Sequence, residues 1–238
     1  MITARWRNVA ILSWPTEDGL LVPFLPNGLA LDRWRGTAYI SLVCLFMENL
    51  RVLGLPALPR KFAELNLRCY VRPTHGSDDR KGVVFLRQLV SSRLVALAGR
   101  VFFREPMLAT ALFHKCEPAD PGNGPDQQSV RYRWANAGHD GELRVTARGD
   151  TYFAEPGSLD EFLTHRYWGY NGKSGQGVRA YRISREPWSL VPVVDHELKC
   201  DAETLYGPQI ADAMAGPPAS ALLALGSESR VHLPTKLR

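Results

Sequence analysis

The sequence predicts a mainly β protein. It should be an antiparallel, barrel-like or strongly curved sheet in one domain spanning residues 1–238, with two or three short helices. Three observations lead there. Short apolar runs, alternating or continuous, recur roughly ten times along the chain. Turn residues such as Arg35-Gly36, His75-Gly76-Ser77-Asp78-Asp79 and Gly138-His139-Asp140-Gly141 separate them. Helical periodicity is too rare and too short to supply the crossovers of βαβ units, so neighbouring strands should pair through hairpins. Closing such a sheet removes the unpaired edges that many strands would otherwise expose.

Taken in order, Val9 to Trp14 is a short apolar strand, and Pro15-Thr16-Glu17-Asp18 opens one helical turn that ends before Leu25-Pro26-Asn27-Gly28. Thr37 to Met47 is apolar on both faces, as in a central buried strand. Leu55-Pro56-Ala57-Leu58-Pro59 is loop by its prolines. Phe62 to Arg72 alternates strictly, and Gly82 to Val90 is its hairpin partner. Leu94, Val95, Leu97, Ala98, Val101 and Phe102 recur at helical spacing behind a serine N-cap, and this helix stops before Pro106. Thr110 to Cys116 is a strand, and Glu117 to Ser129 is a polar loop rich in Pro, Gly, Asp and Asn. Val130 to Ala135 and Glu142 to Ala147 form a hairpin. Ser158 and Glu161 have capping-box spacing and open a helix to about His165. Gly177 to Ile183, Leu190 to Leu198, Ser220 to Leu225 and Arg230 to Leu233 complete the strands.

Composition narrows the function classes. Of 238 residues, 45% are hydrophobic, enough for a sizeable core. The net charge of +5 comes mostly from scattered arginines, with no Lys/Arg run and no helix-turn-helix or RNP pattern, so no nucleic-acid partner is expected. No apolar run reaches the ~18–20 residues of a membrane span. Met1 to Trp14 lacks a signal-peptide core and reads as mature protein. Cys44, Cys69, Cys116 and Cys200 form no CxxC pair and no zinc-ligand spacing. They read as reduced core residues of a cytoplasmic protein, and neither metal nor cofactor is expected. Gly169 to Gly177 lacks the strand-then-helix context of a phosphate loop.

The alternating segment carries the chemistry. Ala63, Leu65, Leu67, Cys69 and Val71 lie on one face, and Glu64, Asn66, Arg68 and Tyr70 on the other. Facing water, the polar set is ordinary; facing the inside of a closed sheet, it is a site. In the second case Glu64 serves as general base or acceptor, Arg68 as an anion clamp and Tyr70 as acid. Arg100 either complements a helix C-terminus or points into the cavity. His165 and His114 are either acid/base groups or ordinary structural histidines. Tyr39, Phe46, Met47, Phe85, Phe103 and Met107 are either pocket lining or plain core.

Several segments together resemble the YqjF-like uncharacterised conserved family, which is grouped with the acetoacetate decarboxylase-like fold. They are Leu25-Pro26-Asn27-Gly28-Leu29-Ala30-Leu31-Asp32, Gly36-Thr37-Ala38-Tyr39, Phe62 to Val71, Ala98-Gly99-Arg100 with Pro106, Phe162-Leu163-Thr164-His165-Arg166-Tyr167, and Glu186-Pro187-Trp188. The resemblance implies a β-barrel with a central cavity, and it places Glu64 where those enzymes carry an acidic cavity residue. It also implies a Schiff-base lysine just after a Gly-Arg-Glu segment and a proline. Here Gly99-Arg100-Val101 occupies that stretch and Met107 follows Pro106, and a thioether cannot form an imine. The expected catalytic residues are thus Glu64 and Tyr70, and the expected ligand contacts Asn66, Arg68, Arg100 and Met107. The implied ligand is a small organic acid or carbonyl compound, handled by proton transfer or a lyase-type step without an imine. The alternative is a non-catalytic ligand-binding or homo-oligomerising scaffold.

Overall fold

The structure, a computed structural model, describes residues 1–75, 80–118, 127–136, 139–172 and 177–237. Parts of the expected turns at 75–79 and 138–141, of the polar loop and of the 169–177 glycine stretch lie outside the described residues. The chain runs through β1 (Ile2–Thr16), α1 (Asp18–Leu21), β2 (Leu29–Leu31), β3 (Ala38–Val52), β4 (Leu55–Pro56), β5 (Lys61–Pro73) and β6 (Gly82–Val90). Next come α2 (Arg93–Ala98), a π-turn (Gly99–Phe103), β7 (Met107–Ala109), β8 (Ala111–Pro118), β9 (Gln127–Asn136), β10 (His139–Arg148) and α3 (Leu159–Thr164). The last elements are β11 (Trp168–Asn171), β12 (Arg179–Arg185), β13 (Leu190–Val191), β14 (Val193–Lys199), α4 (Ala202–Tyr206), α5 (Pro208–Met214), β15 (Ser220–Ala224), β16 (Glu228–Val231) and β17 (Thr235–Lys236).

Seven strands, in the order β1-β16-β12-β11-β6-β5-β3, close into a barrel because β3 pairs back onto β1. Closure depends on a break in β1. Asn8 has φ 51°, and the β1–β3 register shifts between Arg7 and Ala10. Such a bulge bends the strand and increases its twist. Ahead of it, Ile2 to Arg5 pair with β16 inside the barrel; beyond it, Val9 to Ser13 pair with β15. The pairing is antiparallel except where β6 meets β11 and β7 in parallel.

A four-stranded antiparallel sheet, β14-β10-β9-β8, packs on the barrel wall. Leu65, Leu67 and Cys69 of β5 join one core cluster with Tyr132, Trp134, Leu143 and Val145 of that sheet. Each fully buried leucine contributes about 1.5–3 kcal/mol. A one-residue slip of β5 would turn all of them inward, so the packed sheet fixes the register. The even-numbered residues of β5 consequently face the barrel interior.

The expected helix over 92–103 forms, with its first half α-helical and its second half in π geometry. The Ser92 hydroxyl accepts from the Val95 amide at 3.3 Å and starts α2. After Ala98 the chain widens into the π-turn and leaves it through Arg104 at φ 57°. Leu94, Leu97, Val101 and Phe102 are exposed, so their spacing marks an apolar surface and not a core stripe. The α3 cap forms as its spacing predicts, with the Glu161 amide donating to Ser158 Oγ at 3.1 Å. Cys44 and Cys69 are buried free thiols, but Cys116 is exposed, because it lies near the end of the edge strand β8, and Cys200 is half-buried.

Candidate functional site

The barrel encloses a cavity of about 450 Å³ into which Phe62, Glu64, Asn66 and Arg68 of β5 project. The neighbouring strands on either side add Val43, Leu45 and Met47 from β3 and Phe85 and Gln88 from β6. Glu64 is buried. Its Oε1 accepts from Asn66 Nδ2 at 2.9 Å and from Gln88 Nε2 at 3.3 Å. Burial raises its pKa; these two amides and the Arg68 charge pull the other way.

A second carboxylate, Glu105, also lines the cavity. Its backbone amide donates to Gly99 O at 3.2 Å, which locks it to the π-turn. Tyr181 Oη donates to Glu105 Oε1, and Asn171 Nδ2 reaches the same oxygen at 3.4 Å. Its pKa is pushed up to about 7, first by burial and further by the Glu64 charge, against hydrogen bonds from Tyr181, Gln88 and Asn171. Two carboxyl groups sharing a low-dielectric space resist ionising together. Tyr181 reaches Glu105 over a glycine: Gly169 is its register partner on β11, and a Cβ there would overlap the Tyr181 ring.

Three arginines, Arg68, Arg166 and Arg185, also line the cavity. Arg166 is committed to a buried ion pair with Asp32 and donates through Nε to Phe162 O at 2.6 Å. Arg68 donates through Nη2 to Leu163 O at 3.0 Å. Arg185 stacks over Trp188, 3.7 Å from the ring centroid, and donates through Nη2 to Thr164 O at 2.5 Å. Burial lowers the Arg185 pKa, yet the group stays cationic at neutral pH. Four polar atoms of the lining have no partner among the described residues: Asn66 Oδ1, Gln88 Oε1, Arg68 Nε and Arg185 Nε. Buried polar atoms are rarely left unsatisfied, so donors and acceptors orphaned around one void match a polar guest.

Of the residues singled out in the sequence, Glu64, Asn66, Arg68 and Met107 meet here, as do Met47, Phe85 and Phe103. Tyr70 does not line the void: its hydroxyl lies 2.6 Å from Ser41 Oγ, and its ring packs beneath Arg68 and Arg166 at 5.5 and 5.0 Å. It supports the arginines from behind. Arg100 is exposed and outside the lining, because the buried side of the π-turn is formed by Gly99 and Phe103. Met107 packs its sulfur against Gly99. Phe46 stacks on His114 at 4.4 Å and Tyr39 tilts against Phe162 at 6.2 Å, both away from the cavity. His165 caps α3, 3.5 Å from Glu161. His114 lies 3.0 Å from the Asn8 amide nitrogen, and burial pushes its pKa down to about 4. Among the described residues, no lysine lines the cavity. Lys115 is exposed and pairs with Glu117 at 2.8 Å.

Glu105, Tyr181, Arg185 and Gln88 escaped the sequence reading. For Glu105 a signal existed: it is the one acid between Gly82 and Cys116, set among apolar residues just before a proline.

The profile of a family described as DUF2071, uncharacterized conserved protein, matches residues 3–229. The uncharacterized protein YqjF of Bacillus subtilis is 32% identical over 187 residues, 78% of this chain and 73% of that protein. Among solved structures, acetoacetate decarboxylase of Legionella pneumophila superposes with a TM-score of 0.67 at 12% identity, covering 100% of this chain and 87% of that one. An acetoacetate decarboxylase-like enzyme from Sphingomonas wittichii also gives 0.67, at 14% identity, covering 100% and 93%. The enduracididine biosynthesis enzyme MppR complexed with pyruvate gives 0.63, at 12% identity, covering 100% and 91%. The architecture is therefore that of the acetoacetate decarboxylases.

Proposed function

The chain belongs to the DUF2071 family, and we propose that it binds a small organic acid or carbonyl compound in the barrel cavity and moves a proton on it without forming an imine. The observation that carries this reading is the Glu64–Glu105 pair. A buried carboxyl group with a pKa of about 7 can both give and accept a proton near neutrality. Strongly shifted acids in clefts concentrate at functional sites. Arg68 Nε and Arg185 Nε are free to hold a carboxylate or a developing enolate. The absence of a lysine from the described lining, with Met107 in its place, speaks for non-covalent proton transfer. The pyruvate held by a neighbour of the same fold supports this ligand class.

The test is hydrogen–deuterium exchange at the carbon next to the carbonyl of pyruvate and acetoacetate, followed by NMR in deuterated buffer. The protein should accelerate exchange, Glu105→Gln should abolish the acceleration, and borohydride should leave no reduced lysine adduct by mass. No acceleration, together with no ligand-induced rise in melting temperature, overturns the reading. Stabilisation by these acids without exchange would make the cavity a non-catalytic binding site.

A further inference from the structure

The polar groups occupy only part of the cavity, and the remainder describes the ligand. Strand β5 serves as a ruler. Its inward residues run Phe62, Glu64, Asn66, Arg68, so about 20 Å separates the first from the last at ~3.3 Å per residue. Beside them in the wall, on the neighbouring strand β3, lie Met47, Leu45 and Val43, the register partners of Phe62, Glu64 and Asn66. Beyond Phe62 the lining becomes wholly apolar, with Leu50, Val52, Leu58 and Leu94. Three of these side chains continue into solvent: Val52 is 42% exposed, Leu58 78% and Leu94 63%. Large apolar side chains left at a rim commonly mark a binding surface. The cavity of about 450 Å³ falls in the size range of pockets that take drug-sized ligands. A three- or four-carbon oxoacid would fill only its polar end.

We propose that the ligand is an amphipathic monocarboxylic acid whose apolar tail runs from the polar end to the leucine rim. Its carboxylate lies against Arg68 and Arg185, its carbonyl or α-carbon lies beside Glu64 and Glu105, and its tail passes Phe62 and Met107. This rests on the proposed reading of the cavity and extends it from the reacting end to the rest of the molecule. The apolar wall makes a charged or hydroxylated tail unfavourable, since each such group would be desolvated without a partner.

Titration calorimetry with straight-chain 3-oxo acids and saturated acids of four to ten carbons tests it. The dissociation constant should fall about threefold to fourfold per added methylene until the cavity is filled. The primary alcohol of matching length should bind at least tenfold more weakly than the acid. Leu94→Asp, on an exposed position where the fold tolerates change, should flatten the chain-length dependence. Affinity that stays level or falls with length while four-carbon acids still bind overturns the tail and leaves the proposed function standing. Equal binding of acid and alcohol overturns the placement of the head. No binding of any acid overturns both the inference and the reading beneath it.

Discussion

Replacing Glu105 by glutamine isolates the group on which the site depends, and the size of its effect follows from the structure. The carboxyl titrates at about 7 in the fold against an ordinary value of 4.5, so folding raises its pKa by about 2.5 units. A raised acid pKa means the native state holds a proton that the unfolded chain releases. The stabilisation is complete below pH 4.5 and is lost as pH rises through 7. At 1.36 kcal/mol per unit, the loss totals about 3 kcal/mol, of which about 2 kcal/mol develops between pH 5.5 and 8. Glutamine keeps the shape and an acceptor for Tyr181 but cannot ionise. Urea unfolding of both proteins across this range should show Glu105→Gln gaining about 2 kcal/mol on the wild type as pH rises. The difference is the proper readout, because His114 acts with the opposite sign: its lowered pKa makes stability rise with pH between about 4 and 6.5 in both proteins. Glu64→Gln should shift the Glu105 transition downward, since the Glu64 charge is one cause of its elevation. Parallel stability curves for wild type and Glu105→Gln over pH 5.5–8 would refute the reasoning.

Three further outcomes are expected. Gly169→Ala should cost about 1–3 kcal/mol in chemical denaturation, because its methyl group displaces the Tyr181 ring, and it should raise the Glu105 midpoint by removing a hydrogen bond. Arg166→Met should cost about 3–5 kcal/mol in the same assay, since it leaves the buried Asp32 carboxylate without its cation. Ser158→Ala should lower stability by about 0.5–2 kcal/mol by removing the α3 cap while leaving the pH dependence of the Glu105 transition unchanged.

Much of the barrel was legible because its strands obey local rules. The two-residue period of β5 sets which side chains share a face, and the proline and serine positions mark α1, α2 and α3. The sequence could not say which face looks inward. That is decided by the small sheet, whose Tyr132 and Trp134 lie some 65 residues further along the chain and cover the Leu65 side. The apolar stripe over residues 94–102 shows a related limit: periodicity reports the stripe but not whether anything packs on it. Helices α4 and α5 went unread, although Asp201 caps the first at 3.0 Å from the Thr204 amide and Pro208 opens the second. Their apolar residues are too few to form a periodic signal. Tyr181 and Arg185 come from β12, Gln88 from β6 and Glu105 from the segment between the π-turn and β7, and only the closed barrel brings them to Glu64.

The energetics of this cluster fit the proposed chemistry. A plain core would fill the space with leucine or phenylalanine and gain about 1.5–3 kcal/mol per side chain. The chain instead holds two carboxyl groups and the cations Arg68 and Arg185 around a void, without direct ion pairs between them, and leaves four polar atoms unpartnered among the described residues. At neutral pH the Glu105 elevation alone costs about 2–3 kcal/mol, a sizeable share of the ~5–15 kcal/mol that holds a typical domain together. Asp32 and Arg166 show the other solution within the same barrel: where a buried charge has a structural task, it is paired directly. Burying Glu105 beside Glu64 favours its protonated form, against the amides and phenol that hydrogen-bond it, and at neutral pH this comes at the expense of the fold. Under the proposed function, that arrangement lets a proton be exchanged with a ligand that enters the cavity.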